Sequence, residues 1–414
     1  MISAAAPPST FKNVVLVTGV STAKMCGVRD HAQALAHGLA DTGIEAIMEW
    51  GELSPKPSRT EIEAWLKQVV ATAHREHPTV ILFHYSVFTL SWRGIPLHAT
   101  VVARRLRNIG PPVVTLLHEF AYPWGRRGWR GLIHAVSQRI ALIAVVRSAR
   151  CLVVTTPDRC DWLQERRWLP KRPVAFVPVF SSVPVQFATP KIGDAQGAPS
   201  ADVAVVGYGT EGARADLVVK AVRLTTVAGL RLLLVGAPGP DSGAARVWSE
   251  AATHCGCPLH FTGLLPPEAL SAALSSAGVI VFADEAGPTA RKSTLAAAMA
   301  HGKAIIALDG PQTWDDLRAC GAVSIVPPEV HALSAEIARL LDDSSAREAL
   351  GERARDFYAN RMALAHAAPQ VASCLIKTIA APDPPTVAAQ LHLATVVKRT
   401  SMLVRQVLKS AGFR

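Results

Sequence analysis

The sequence has few cysteines, and they lack the spacings that metal sites or disulfide frameworks need. Its seven cysteines are scattered, with one Cys-Gly-Cys from Cys255 to Cys257 and no Cys-x-x-Cys pair. This usage argues against both a zinc site and a disulfide scaffold, and it is typical of a reducing compartment.

Long apolar runs are also missing. The longest uninterrupted one, from Ile140 to Val146, is far too short to span a bilayer. The first residues, MISAAAPPSTFKNVVLVTG, show no charged region followed by an apolar core and a cleavage site. The sequence therefore predicts a cytoplasmic protein, at most peripheral on the inner face of the cell membrane.

Acidic side chains are the scarcer charge. Lysine and arginine number 43 against 32 aspartates and glutamates, for a net charge of +11. The segment Gly125–Arg172 has eleven basic and three acidic residues, and the tail after Asp383 has five basic residues and no acid. These patches favour an anionic membrane surface or a pyrophosphate lipid, with a solvated positive face as the alternative. Nucleic acid is disfavoured because no aromatic stacking platform is interleaved with the basic residues.

The chain is too long for one ordinary core, with 414 residues of which half are hydrophobic. Short β-rich apolar runs alternate with amphipathic stretches, which predicts parallel, doubly wound sheets. We predict an α/β protein with two Rossmann-like domains that face each other across a cleft. The predicted parts are a first domain (1–186), a Pro- and Gly-rich linker (187–201), a second domain (202–365) and a helical region with a basic tail (366–414).

The stretch GYGTEG follows a predicted strand and opens a helix, which matches a dinucleotide-binding pattern. Such a fold also needs an acid at the end of the next strand, where this chain has Gly236 and Ala237. A nicotinamide or flavin cofactor is therefore disfavoured. Gly207 and Gly209 would still let a ligand approach the backbone closely.

A cluster of cations and hydroxyls opens the alanine-rich helix in residues 284–302, DEAGPTARKSTLAAAMAHG. A buried helix needs the alanines, but it does not need Arg291 and Lys292 at its start. Ser293 or Thr294 is expected to cap this helix, so that its amide groups and positive dipole end face the cleft. The cluster predicts a phosphate site, with a capped core helix and surface cations as the alternative.

Polar side chains also follow strands of the first predicted domain, where the loops of a parallel sheet gather around a ligand. LLHEF places His118 and Glu119 at a strand end, and the first loop leads into Gly27, Arg29 and His31. His118 could contact a polar substrate or carry a proton. The residues after a third strand could line an acceptor site or merely pack: Tyr85, Trp92 and Arg93.

These motifs resemble the GT-B glycosyltransferases of glycosyltransferase family 4, which are retaining enzymes that use sugar nucleotides. The likeness covers roughly residues 14–358. CGVRDHAQALAHGLADTG resembles the family's first loop and helix, and LLHEF resembles its strand that ends in a cleft histidine. HFTGLLPPEALSAALSSAGVIVFAD and AAAMAHGKAIIA resemble two segments of its second domain.

The chain departs from this family at its glutamate pair. The family's Glu-x7-Glu falls on Thr289 and Ala297, and its arginine after the first strand of the second domain falls on Tyr208. The segment instead resembles a bacterial subset with an R-x-S type loop, in which Glu285 lies one position from the expected acid. The positions that fit this subset in step are Gly287, Thr289, Arg291, Lys292, Thr294 and Leu295.

The resemblance implies a metal-independent hexosyltransferase of bacterial cell-surface polysaccharide or glycoconjugate biosynthesis, without a cofactor beyond its nucleotide-sugar donor. Its catalytic residues would be His118, Glu119 and Arg291. Arg291, Lys292 and the helix start would stabilise the departing diphosphate, and a saccharide or lipid-linked acceptor would lie on the first domain. The alternative is a GT-B-like partner subunit that lost its glutamates, and an epimerase of the same shape is a weaker rival.

Overall fold

The computed structural model describes residues 13–22, 26–91, 94–120, 128–185, 202–209, 212–227, 230–236 and 238–381. Trp92, Arg93, the predicted linker and the predicted basic tail lie outside these residues. Both sheets described below belong to one unit of the chain, which ends at Ile379. All seven cysteines have free thiols.

The first lobe is a six-stranded parallel sheet in the order β2-β1-β3-β4-β5-β6, with helices between its strands. Its strands are β1 (Asn13–Ser21), β2 (Ile44–Glu52), β3 (Val80–Ser86), β4 (Val113–Glu119), β5 (Ala149–Val154) and β6 (Val174–Phe176). Its helices are α1 (Gly27–Ala40), α2 (Arg59–Glu76), α3 (Ala99–Arg107), α4 (Gly128–Ser148) and α5 (Pro157–Glu165).

The second lobe is also a six-stranded parallel sheet, in the order β12-β11-β10-β7-β8-β9. Its strands are β7 (Val203–Val206), β8 (Leu232–Val235), β9 (Leu259–Phe261), β10 (Val279–Phe282), β11 (Ile305–Leu308) and β12 (Ser324–Val326). The helices that follow β7 are α6 (Ala215–Leu224), α7 (Gly243–Cys255), α8 (Pro267–Ser276), α9 (Ser293–Ala300), α10 (Asp315–Cys320), α11 (Val330–Asp342), α12 (Ser344–Phe357) and α13 (Leu364–Ala380), with a π-helical turn at Tyr358–Met362.

The central strands of both sheets are apolar without alternation. β3 in the first lobe and β10 in the second are buried along their whole length. Crossover helices cover both faces of a parallel sheet, so its strands are selected for continuous hydrophobic runs. The predicted α/β class with two Rossmann-like sheets is confirmed.

Three short elements were not predicted, namely β6, α5 and α10. β6 has three residues and lies between Pro173 and Pro178, so no strand-length apolar run marks it. The sequence pattern predicts that the first helix begins near Asp30, but α1 begins at Gly27, with Cys26 as its N-cap residue.

The last described helix packs against the first lobe. A Cβ at Gly38 of α1 would lie 2.8 Å from Leu364 Cδ1, so the glycine permits close packing of α1 on α13. The α13 side chains buried in the same apolar cluster as β1, β3 and β4 are Ala367, Ala368, Val371, Ala372 and Leu375. None of the helices in the described ranges combines the length and the hydropathy needed to cross a bilayer.

Candidate functional site

Three histidines meet at the carboxyl ends of first-lobe strands and form what we call the histidine cluster. His84 lies in β3, His118 in β4 and His31 near the start of α1. His84 Nδ1 and His118 Nε2 are 3.1 Å apart, which is hydrogen-bonding distance. The His31 ring stacks on Phe180 with 4.3 Å between centroids and meets the His118 ring edge-on at 5.2 Å. β3 and β4 are neighbours in the sheet, which brings their ends together.

Burial keeps the histidine cluster neutral. His84 is 1% exposed and His31 is 8% exposed. Burial lowers the pKa of His31 to about 4, and it holds the pKa values of His84 and His118 well below their usual range. Among the described residues, His31 Nδ1 and His84 Nε2 are buried without a hydrogen-bond partner. At neutral pH the cluster therefore offers uncharged ring nitrogens.

Glu119 binds two arginines, one from each lobe. Its Oε2 lies 2.9 Å from Nη2 of Arg159, in α5, and its Oε1 pairs with Nη1 of Arg291, which precedes α9. Arg159 Nη1 also donates to the His118 carbonyl oxygen at 2.5 Å. Two guanidinium groups and one carboxylate leave one net positive charge where the lobes meet.

The start of α9 has no side-chain cap. The helix begins at Ser293, and its N-cap residue Lys292 makes no capping hydrogen bond through its side chain. The predicted cap by Ser293 or Thr294 is therefore wrong, because both residues already lie in the first helical turn. Lys292 Nζ instead lies 2.8 Å from Asp284 Oδ2, so this cation is neutralised within the second lobe.

The predicted glycine loop lies against the start of α9. Gly207 has a φ of +75°, and a Cβ at this position would lie 3.2 Å from Thr294 Cγ2. The carbonyl oxygen of Gly212 accepts a hydrogen bond from the amide of Glu285 at 3.0 Å, and the Glu285 side chain is exposed. Two motifs that are far apart in the sequence are therefore neighbours in the structure.

Packing alone explains two other glycines that were predicted to contact a donor. A Cβ at Gly209 would lie 2.5 Å from Pro238 Cδ. Gly287 has a φ of +89°, and a Cβ there would overlap the hydroxyl of Thr313. Neither glycine therefore needs a ligand to account for its missing side chain.

Two positions that carry functional side chains in the resembled family are core positions here. Tyr208 is 1% exposed, and its hydroxyl oxygen accepts a hydrogen bond from the Gly239 amide at 2.8 Å. Ala297 is 3% exposed within α9. The second lobe therefore has no charged side chain at either position.

Thr289 borders an acidic cavity. Its hydroxyl is buried, has no hydrogen-bond partner in the part of the chain that the structure describes, and lies beside a cavity of about 700 Å³. The carboxylates that line this cavity belong to Asp158, Asp161, Asp315 and Asp316. The guanidinium of Arg361, also in the lining, is paired with Asp316. Because carboxylates repel a diphosphate, the structure argues against the predicted phosphate contact of Thr289.

The prediction that Tyr85 lines an acceptor site is wrong. Its side chain is fully buried and its ring packs beside that of Phe83, and burial raises the pKa of its hydroxyl. Successive strand residues face opposite sides of a sheet, and in β3 the neighbouring His84 faces the histidine cluster.

The other predicted acceptor-side residues differ in their surroundings. Arg29 Nη1 pairs with Glu52 Oε1 at 2.6 Å, beside the end of β2. Gly27 was predicted on the donor side instead, and a Cβ there would meet no atom of the described residues within 4 Å. His31 joins the histidine cluster, as described above, and Trp92 and Arg93 lie outside the described residues.

Sequence reasoning missed two residues of this site, His84 and Arg159. Arg159 was counted as part of the basic segment, although it lies in the first turn after β5, where a parallel sheet gathers its ligands. His84 is a polar residue near the end of an otherwise apolar strand, the same signal that identified His118. Applying the strand-end rule to every strand would have found both.

No protein-family model matches this chain, and no curated protein matches it by sequence. Solved structures do match. Sucrose-phosphate synthase from Thermosynechococcus elongatus is 17% identical with a TM-score of 0.68, and the match covers 89% of this chain and 100% of that one. HepE from Anabaena, solved with UDP-glucose, is 14% identical with a TM-score of 0.65 and coverages of 88% and 100%. UDP-GlcNAc 2-epimerase from Neisseria meningitidis, solved with UDP-GlcNAc, is 12% identical with a TM-score of 0.53 and coverages of 88% and 100%.

These matches define the class of fold. Two six-stranded parallel α/β sheets in this arrangement constitute the GT-B fold. The same architecture occurs in an epimerase, so the fold does not determine the reaction. What this chain does must be argued from its own strand-end residues.

Proposed function

We propose that this chain is a glycosyltransferase that moves a sugar from a nucleotide-sugar donor to a saccharide, lipid-linked or small-molecule acceptor. The observation that carries the proposal is the ion pair between Arg291 and Glu119, which joins the basic start of α9 to the strand ends of the histidine cluster. A nucleotide sugar has a charged diphosphate and an uncharged sugar. One side of this site offers positive charge and the other offers neutral hydrogen-bonding nitrogens.

The diphosphate would bind at the start of α9. A guanidinium donates paired hydrogen bonds to two oxygens of a phosphate, as it does to the two oxygens of a carboxylate. An incoming diphosphate would therefore replace Glu119 at Arg291. The uncapped amides of α9 and its positive dipole end favour the same anion. Gly207 brings its backbone to this point without a side chain in the way.

The sugar would lie toward the histidine cluster. His118 is neutral at neutral pH, so it would exchange hydrogen bonds with sugar hydroxyls and would not serve as an acid. As the glycosidic bond breaks, negative charge grows on the diphosphate, and Arg291 with the α9 amides would stabilise it. These groups supply the charge that a divalent cation supplies elsewhere. We expect retention of the anomeric configuration, in keeping with the resembled family.

One observation favours a second candidate, a GT-B-like partner subunit without activity. Each cation at the start of α9 already has a carboxylate partner, Glu119 for Arg291 and Asp284 for Lys292. No glutamate stands at Thr289 or Ala297 to bind a ribose. A GT-B-like subunit that no longer binds a nucleotide-sugar donor would retain these two ion pairs.

A thermal-shift panel of UDP-, GDP-, ADP- and dTDP-sugars tests the proposal. A ligand that binds only the folded state at 100 times its Kd adds about 2.7 kcal/mol of stability, which is a readily measured rise in Tm. The stabilising donor is then incubated with the protein, and NMR follows release of the nucleotide and the anomeric configuration of the product. No shift and no turnover with any donor would favour the partner subunit. Conversion of the donor into its epimer would favour an epimerase.

We further propose that the acceptor is lipid-linked and that α4 docks on an anionic membrane. An apolar stripe runs along this first-lobe helix, with exposures of 63% for Trp129, 44% for Leu132 and 39% for Ile133. The Arg130 guanidinium lies 5.4 Å from the centre of the Trp129 ring. Tryptophan and leucine beside arginine are typical of helices that lie in the interface of an anionic bilayer.

Part of the basic segment has structural partners instead. Arg172 donates to the carbonyl oxygens of Val146 and Arg147 at the end of α4. Arg159 binds Glu119. The proposed membrane contact therefore rests on the first half of α4 rather than on the whole of Gly125–Arg172.

Co-sedimentation with vesicles of phosphatidylcholine and phosphatidylglycerol at low salt tests this docking. The triple substitution Trp129→Ser, Leu132→Ser and Ile133→Ser should weaken binding at least tenfold. The control is Leu224→Ser with Val247→Ser, which removes two similarly exposed apolar side chains from the second lobe. Absence of binding by the unmodified chain, or equal binding by both variants, would refute the docking proposal.

A further inference from the structure

We propose that the histidine cluster is a binding site for a transition-metal ion of the zinc type. One ring nitrogen from each of His31, His84 and His118 can be chosen so that all three lie within 4.8 Å of one another. Within the described parts of the chain, this is the one group of three or more potential ligand side chains close enough to share an ion.

The spacing of two rings already suits coordination. His84 Nδ1 and His118 Nε2 are separated by 3.1 Å. Two nitrogens bound to one tetrahedral zinc at about 2.0–2.1 Å would be roughly 3.4 Å apart. A small separation of these two rings therefore admits an ion, and His31 needs a modest shift to join them.

The cluster contains a buried polar atom that lacks a partner. His31 Nδ1 has no hydrogen-bond partner among the residues that the structure describes. Leaving a buried polar atom unpaired is costly, so this atom is evidence for a ligand at the cluster.

The ligand set selects the class of ion. Three imidazoles without a carboxylate or thiolate favour zinc, nickel, cobalt or copper over magnesium or calcium. Three protein ligands leave a fourth coordination position open to water or another small ligand. The inference does not depend on the proposed transferase activity, since metal binding is measured without any donor. Because one ring nitrogen of His118 cannot bind an ion and a sugar hydroxyl at once, zinc and the sugar would compete for this ring.

The first experiment uses the full chain without a histidine tag, freed of metal by dialysis. Titration with zinc sulfate in a calorimeter should show one ion bound per chain. Titration with cobalt should give the absorption of a site with nitrogen ligands. Absence of zinc binding, or a thiolate-to-cobalt charge-transfer band as the only signal, would overturn the inference. This measurement needs no variant, so a folding defect cannot obscure it.

Substitutions then locate the ion. His31→Gln and His84→Gln should each weaken zinc binding at least tenfold. The matched control is His301→Gln in the second lobe, because His301 has the same 8% exposure as His31 but lies outside the cluster. Zinc affinity that is unchanged in both cluster variants, or reduced equally in the control, would show that the ion binds elsewhere.

Discussion

Two helix starts, one in each lobe, differ in their capping. At the start of α2 in the first lobe, the Ser58 hydroxyl accepts a hydrogen bond from the Glu61 amide at 3.2 Å. The Glu61 carboxylate accepts one from the Ser58 amide at 2.8 Å, which completes a capping box. At the start of α9 in the second lobe, no side chain caps the helix, although Ser293 and Thr294 are available.

At the start of α2, side chains of the helix itself accept hydrogen bonds from the first amides. At the start of α9, no side chain accepts them. The first amides of a helix need an acceptor from outside the helix, and capping by a side chain is the usual solution. α9 has cations beside its uncapped amides. One of these cations, Arg291, pairs with Glu119 from the other lobe. An exchangeable partner at an open helix start is what an anion-binding site requires.

Replacing Arg291 should have the largest effect. Arg291→Ala removes the charge that we place on the departing diphosphate, and loss of one such group typically lowers kcat about 100-fold or more. Initial rates with the donor found in the thermal-shift panel provide the measurement. Arg318→Ala is the control, because Arg318 also pairs with a carboxylate, that of Asp309, but lies outside the site. Similar rates in the two variants would contradict the phosphate role of Arg291.

Two glycines with nearly equal φ angles provide a second test. Gly207→Ala and Gly43→Ala both place a side chain at a positive φ, +75° and +78°, which costs about 1 kcal/mol each. A Cβ at Gly43 would meet no described residue within 4 Å, whereas one at Gly207 would lie 3.2 Å from Thr294 Cγ2 at the start of α9. We expect a total loss near 2 kcal/mol and weaker donor binding for Gly207→Ala only, measured by urea unfolding and calorimetry. Equal losses in both would show that the contact with Thr294 is unimportant.

Removing each hydroxyl tests the comparison of the helix starts directly. Ser58→Ala should lower the free energy of unfolding by about 1 kcal/mol, because it removes a cap. Ser293→Ala should change it by only a few tenths, because Ser293 caps nothing. Urea unfolding of the two variants beside the unmodified chain is sufficient. A loss for Ser293→Ala as large as that for Ser58→Ala would mean that α9 is capped in solution.

The smallest expected effect is a pH dependence of the α2 cap. Hydrogen bonds from the backbone amides of Ser58 and Ser54 lower the pKa of Glu61 from 4.5 to about 2. The stabilisation is therefore complete above pH 4.5 and declines as the pH falls toward 2. Thermal unfolding of the unmodified chain and of Glu61→Gln should show a difference in Tm that shrinks over this range. A constant difference would argue against the carboxylate as its source.

The second lobe was easier to predict than the first. Its glycine loop and its R-K-S-T cluster are continuous stretches that each follow a strand, so a parallel topology alone brings Gly207 near Thr294. The histidine cluster has no such stretch, because His31, His84 and His118 come from three separate βα units. Only the strand order, with β3 beside β4, shows that they meet.

The ion-pair partners of the cations near α9 were the least predictable feature. The sequence indicated that Arg291 and Lys292 were cations at a helix start, but it did not reveal that Glu119 and Asp284 would neutralise them. Side-chain pairing across lobes depends on distances of a few ångströms between distant segments. Ser293 and Thr294 show the same limit, since a shift of one residue in the helix start moves a hydroxyl from the N-cap into the first turn.

The return of α13 to the first lobe has a consequence for synthesis of the protein. Five of its side chains complete an apolar cluster whose other members are made in the first half of the chain. A ribosome that has not yet reached Leu364 has therefore produced a first lobe with an exposed hydrophobic surface over α1. That lobe remains only partly covered until α13 has also been synthesised.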